Sequence, residues 1–274
     1  MNPVVVIPTH KNSFSKNENA CLLQCRKVLG NYDIVFAIPY SLDASPLKKI
    51  IPSSMIERFD DNYFKSLQGY NRLKYSVCFY NRFHSYEHLL TYEPDAFVFT
   101  DQLPYWCSKK FDFVGAPLSN SILGVQIMNS GLSLRRVDKA LAVLNSYRRL
   151  YDFSDLYREV SSSDPNLIRV AKGIIKVTGL VWNTHHRLVQ PILMEDVFWS
   201  LVAHKVPEFE MCPIGEAKKF SIEASRFHSS DLPDENNKQF PNPIPFGIHK
   251  FWRDKTGHWI SLIRELGYDI DNTE

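Results

Sequence analysis

The chain has 274 residues, 44% of them hydrophobic and 23% charged, with 32 basic side chains against 30 acidic ones. That length is ample for a sizeable core, and the composition is ordinary for a globular protein. A net charge of +2 lacks the strong basic field a nucleic-acid partner needs, so no nucleic-acid role is expected.

The opening MNPVVVIPTHKNS has a short aliphatic run closed by proline and no basic leader, unlike a signal peptide. No stretch approaches the roughly 18 to 20 apolar residues of a membrane span. A cytoplasmic protein is the expectation. VVVIPT (4–9) reads as a buried, parallel-type strand. SKNENACLLQCRKVLG follows with apolar residues at helical spacing and Gly30 as its stop, and DIVFAIP (33–39) is a second buried strand. A strand–helix–strand opening predicts an α/β layer fold with a mostly parallel sheet flanked by helices. Cys21 and Cys25 lie one turn apart and read as small residues on a buried helix face, a metal or disulfide pair being the other reading.

Residues 53–83 are mixed in pattern, with a helix expected from about Gly69 to Phe83. HLLTY (88–92) is a third strand; AFVF (96–99) and FDFVGAP (111–117) are shorter candidates. SGLSLRR (130–136) alternates as a half-buried strand does, and VDKALAVLNSYRRLYDF is helical. From Ser154 to Gln190 the pattern weakens around the loop signal SSSDPN. MEDVFWSLVAHK (194–205) is a helix with acids in its first turn, the favourable end of the helix dipole. FSIEA (220–224), a polar loop and FGIHKFW complete the pass. With no repeat or long linker, one domain over 1–274 is expected, its nucleotide-binding part about 1–103 and its acceptor part about 104–274.

In open parallel sheets, ligands sit beyond the carboxyl ends of strands. Pro8-Thr9-His10-Lys11 and Glu93-Pro94-Asp95 both fall there. In an extended segment, residues i and i+2 face one side, so Glu93 and Asp95 form an oxygen-rich pair suited to a hard divalent cation. A polar strand-end turn built on Pro94 is the alternative reading. Glu195 and Asp196 open a helix, where they serve either the dipole or a pocket edge as general base. His249 lies among aromatics late in the chain, a common place for a structural histidine.

LLTYEPDAFVFTDQL resembles the metal-binding segment of GT-A-fold glycosyltransferases, with Glu93 standing where the first Asp of the Asp-x-Asp pair is usual. VVVIPTHK, GYNRLKYS, FDFVGAP, NSGLSLRR, EDVFW and PFGIHKFW follow in the order such enzymes present their parts. Together they resemble an uncharacterised bacterial family linked to surface-polysaccharide genes. That resemblance implies a GT-A fold and transfer of a sugar from a nucleotide-sugar donor to a hydroxyl of a glycan or lipid-linked glycan. It implies a divalent cation, Mn2+ or Mg2+, held by Asp95, Glu93 and His249. The donor would meet Pro8, Thr9, His10, Lys11, Arg72, Glu93 and Asp95, with Lys250 as a further phosphate neighbour. Asn129, Ser130, Gly131 and Trp199 would meet the acceptor. Asp196, or Glu195 as second choice, would be the base, giving inversion, with retention left open. Asp101 matches a trailing acid and reads as a turn or cap residue.

Basic residues over 169–187, with Trp182 nearby, suggest peripheral contact with an anionic inner membrane, a solvated helix face being the other reading. His185-His186 points apart as a metal pair and reads as surface. The rival functions are a non-catalytic nucleotide-sugar or glycan-binding module, and a nucleotidyltransferase. IPTHKNSF lacks the Gly-rich phosphate loop the latter normally carries.

Overall fold

The computed structural model describes residues 2–122, 125–145, 194–226 and 244–273. Buried aliphatic runs make the centre. β1 (Pro3–Pro8) and β2 (Asp33–Pro39) are parallel neighbours, and β4 (His88–Tyr92) flanks β1 on its other side, again parallel. β3 (Met55–Phe59) extends the parallel set beyond β2. β7 (Val125–Arg136) and β6 (Phe113–Ile122) then add as antiparallel strands, completing the order β3-β2-β1-β4-β7-β6. The expectation of a mostly parallel sheet flanked by helices holds.

α1 (Lys16–Leu29) starts where Ser15 and Glu18 satisfy each other's backbone amides in a capping box. Its buried face includes Cys21 and Cys25, both free thiols. The helix expected from Gly69 to Phe83 is two: α3 (Leu67–Lys74) and α4 (Val77–Arg82). Ser76 breaks them by accepting the Phe79 amide at 3.2 Å, so its hydroxyl restarts the helix rather than continuing it. α2 (Ser45–Ile50), α5 (Leu103–Ser108) and α6 (Val137–Leu144) connect and cover the sheet.

A second, three-stranded sheet is set by β5 (Ala96–Val98), β8 (Ser221–Glu223) and β9 (Gly247–His249), in the order β5-β9-β8. α7 (Glu195–Lys205) and α8 (Ile214–Phe220) pack on the main core through Phe198, Trp199, Ala217 and Phe220. α9 (His258–Glu265) closes a smaller core with Phe97, Ile248 and Trp259. Among the described residues no helix is long and apolar enough to cross a membrane. The basic segment 169–187, Trp182 and His185-His186 lie outside the described residues.

Candidate functional site

A cleft of about 470 Å³ opens beyond the carboxyl ends of β1 and β4. Pro8, Thr9, His10 and Lys11 form one wall, Phe64 to Leu67 and Tyr70 the other, and Glu93, Pro94 and Asp95 the floor. Thr9 fixes its own loop: its hydroxyl donates to the Lys11 carbonyl at 2.9 Å. Lys11 is tied to Glu18 at 2.8 Å, so the capping acid of α1 also anchors the loop.

Glu93 to Ala96 is a tight turn, with the Ala96 amide on the Glu93 carbonyl at 2.8 Å. The turn and cation readings of this segment are therefore compatible. The small sheet completes the cluster, because register pairs Ala96 with His249 and places the histidine beside Asp95. His249 Nε2 lies 2.9 Å from Asp95 Oδ1 and 3.6 Å from Glu93 Oε2. The three residues can each offer one ligand atom, all within 4.8 Å of one another. Lys250 follows in left-handed backbone, φ 53°, and its ammonium stands 3.5 Å from Asp95 Oδ2. Such a conformation in a non-glycine residue is costly and tends to persist where surrounding structure enforces it.

The donor set fits a divalent cation on three observations. Asp95 Oδ1 and His249 Nε2 are buried without a hydrogen bond, although they face each other. A Cβ added to Gly131 would stand 2.4 Å from His249 Nε2 and 3.0 Å from Glu93 Oε2, so glycine keeps this space clear. The two carboxylates also suit a hard cation such as manganese or magnesium.

Glu93 divides its oxygens. Oε1 accepts from Lys74 Nζ at 2.7 Å and from the Tyr70 hydroxyl at 2.9 Å, which leaves Oε2 for the cluster. Burial pushes this carboxyl up, but Lys74 and His249 outweigh that and hold it well below its ordinary value. Lys74 also reaches Glu195 Oε2 at 3.3 Å. Glu195, 1% exposed, is further bound by Arg135 at 2.5 Å and by the Ser130 hydroxyl. Its backbone amide donates to Asn71 Oδ1 at 2.7 Å, so α3 caps α7 across the fold. Burial, then repulsion from Glu195, raises the Asp196 carboxyl above its ordinary value.

The structure sorts the expected residues. Pro8 to Lys11, Glu93, Asp95 and His249 come together. Arg72 does not join them: it is exposed and absent from the cleft lining, because its helix turns Lys74 inward instead. Trp199 is fully buried, stacked on Phe209 at 5.6 Å, which corrects its placement on the acceptor side. Asn129 Oδ1 accepts the Gly131 amide at 2.7 Å, a local turn contact. Ser130 is buried on Glu195, and Gly131 abuts His249, so neither presents open main chain to a sugar. Glu195 is locked in ion pairs, whereas Asp196 is partly exposed. Asp101 Oδ1 accepts the Leu103 amide at 3.1 Å in the turn that leads into α5, in line with its turn-or-cap reading. Trp106, Phe251 and Trp252 are core residues.

Three site residues escaped sequence reasoning. Lys74 had a signal, since it falls one helical turn after Tyr70 and shares its face. Arg135 and Glu223 had none, because alternation alone does not say which polar residue meets a charge.

No curated protein matches this chain in sequence. Among solved structures, it resembles galactosyltransferase LgtC in complex with donor and acceptor sugar analogs, with TM-score 0.50 and 12% identity over 96% of this chain and 94% of that one. It is also similar to the glycosyltransferase GlyE of Streptococcus pneumoniae, with TM-score 0.49 and 12% identity over 97% of this chain and 63% of that one. A third is core-mannan synthase A of Aspergillus fumigatus in its Mn/GDP form, with TM-score 0.46 and 9% identity over 74% and 69%. The architecture is that of the GT-A glycosyltransferases, as the likeness to LgtC shows. Residues 53–249 match the family model described as "Protein of unknown function (DUF5672)", a span that runs from just before β3 to His249, and the chain belongs to that family.

Proposed function

We propose that this chain is a metal-dependent glycosyltransferase that moves a sugar from a nucleotide-sugar donor to a hydroxyl of a bacterial surface glycan, free or lipid-linked. The observation that carries the reading is the convergence of the buried His249 on Glu93 and Asp95, which form the floor of the cleft lined by Pro8 to Lys11. In this reading residues 1–103 serve mainly the donor, and the remainder supplies the acceptor side and His249.

The base and ribose lie along the loop after β1. Asp95, Glu93 and His249 would hold Mn2+ or Mg2+. When bound, the cation stabilises charge on the leaving diphosphate as a Lewis acid. Lys250 adds positive charge beside Asp95. Lys74, rather than Arg72, is the cation that holds Glu93 in place.

Asp196 is the base. It accepts the acceptor hydroxyl's proton while the sugar–phosphate bond breaks and the new glycosidic bond forms, with inversion. A carboxyl raised by burial is a better proton acceptor than an ordinary one. Glu195 stays an ion-paired support.

The test is incubation with Mn2+ and a panel of nucleotide sugars. Nucleoside diphosphate release that disappears in Asp95→Ala supports transfer. Binding without turnover on any acceptor would point to a binding module, and pyrophosphate release to nucleotidyl transfer. The anomeric configuration of the product decides inversion against retention.

A further inference from the structure

We infer that Glu223 is a positioning residue that aims His249 at the cation, with the small sheet as the platform for both. The inference rests on the cation reading of the Glu93–Asp95–His249 cluster. β8 and β9 run parallel in a register that sets Glu223 beside His249, and β5 pairs Ala96 with the same histidine from the other side. One short sheet thus carries the residue after Asp95, the imidazole and a further carboxylate in a single row.

The contacts are specific. Glu223 Oε2 lies 2.6 Å from His249 Nδ1. Glu223 Oε1 accepts from the Ser225 hydroxyl at 2.8 Å. Both oxygens are engaged and the residue is 7% exposed, so it is held in one orientation and does not turn to the cation itself. A carboxylate only accepts, so Nδ1 is the nitrogen that carries a proton in this pair. Nε2 is then the ligand atom, and it is the one facing Asp95 Oδ1 and Glu93 Oε2. Across the ring, the bare Cα of Gly131 leaves the imidazole just enough room. Turned over by a half-rotation, the ring would lose the Glu223 bond and direct carbon at the ligand position. A carboxylate behind a metal-binding imidazole fixes its tautomer and raises its basicity, and losing such a partner typically weakens metal binding roughly 10–100-fold.

The test uses the full chain and Mn2+ alone, with free aqueous Mn2+ followed by electron paramagnetic resonance. The wild type binds, His249→Ala loses binding, and Glu223→Ala weakens it roughly 10–100-fold. Glu223→Gln, which keeps a carbonyl oxygen for Nδ1–H, falls between wild type and Glu223→Ala. Wild-type affinity in Glu223→Ala overturns the inference while leaving the cation reading intact. Failure of the wild type itself to bind Mn2+ overturns both. Nitrogen-15 spectra of histidine in the Mg2+-loaded wild type need no variant to fold: a proton on Nδ1 of His249 is expected, and a proton on Nε2 sinks the inference.

Discussion

The ammonium of Lys74 lies 2.7 Å from Glu93 Oε1, with the lysine side chain 4% exposed and the glutamate 18%. Through 3.3 Å to Glu195 the same ammonium ties the Glu93–Asp95–His249 cluster to the first turn of α7. One buried charge therefore serves two carboxylates from distant parts of the chain. Burial lowers the lysine's proton affinity, but Glu195 and Glu93 more than reverse this and keep it charged.

Lys74→Met should accordingly destabilise the fold by about 3–5 kcal/mol, since it leaves Glu93 without its main cation in a buried setting. Urea unfolding measures this. Added Mn2+ should raise the melting temperature of the variant by more than it raises that of the wild type, because the ion supplies the missing positive charge. Equal shifts in the two proteins would contradict that account.

Gly131 has a different task. Gly131→Ala puts a methyl group where His249 Nε2 and Glu93 Oε2 converge. Calorimetric titration should show Mn2+ binding lost or greatly weakened. An alanine variant that binds the ion as the wild type does would mean that the cation sits elsewhere.

In the proposed mechanism Asp196 links activity to pH. Its carboxyl is raised from an ordinary 3.8, so the acid limb of the kcat/KM profile should lie above that value. The sign for stability follows from linkage. The folded state holds this proton more tightly than the unfolded state, so stability falls as pH rises from the ordinary aspartate range through the raised value. Above it, the ionised group is a constant cost. Asp196→Asn should therefore nearly abolish transfer, yet melt at neutral pH no lower than the wild type. A variant that is inactive and also clearly less stable would argue for a structural role.

Arg72 and Trp199 give contrasting controls. Arg72→Ala should change stability by less than about 0.5 kcal/mol, as exposed substitutions usually do, and leave the donor KM unchanged. Trp199→Ala should cost about 3–5 kcal/mol as a core truncation, with the acceptor KM of the folded protein unaltered. A raised acceptor KM would restore the tryptophan to the acceptor site.

Local chemistry determined a large share of this protein. Unbroken aliphatic runs such as VVVIP and DIVFAIP bury on both faces and so become central parallel strands. A parallel sheet opens its clefts at the carboxyl ends of those strands, so the place of Thr9 and Asp95 on such a cleft was legible in the sequence. The partly exposed edge strand β3 was not, because a strand half in water carries only a weak hydrophobic pattern.

Only the tertiary structure decided how charges pair. Arg72 and Lys74 lie two positions apart on one helix, and which of them turns inward depends on what α3 packs against. Trp199 reads either as a sugar platform or as a core residue until Phe209 and Tyr80 are placed beside it. Glu223 and His249 are 26 residues apart and meet through the register of two three-residue strands. Hydrophobic burial is encoded residue by residue and shows in the pattern of the chain. An ion pair depends on separation over a few ångströms and on shared desolvation, and those exist only once distant segments are packed together.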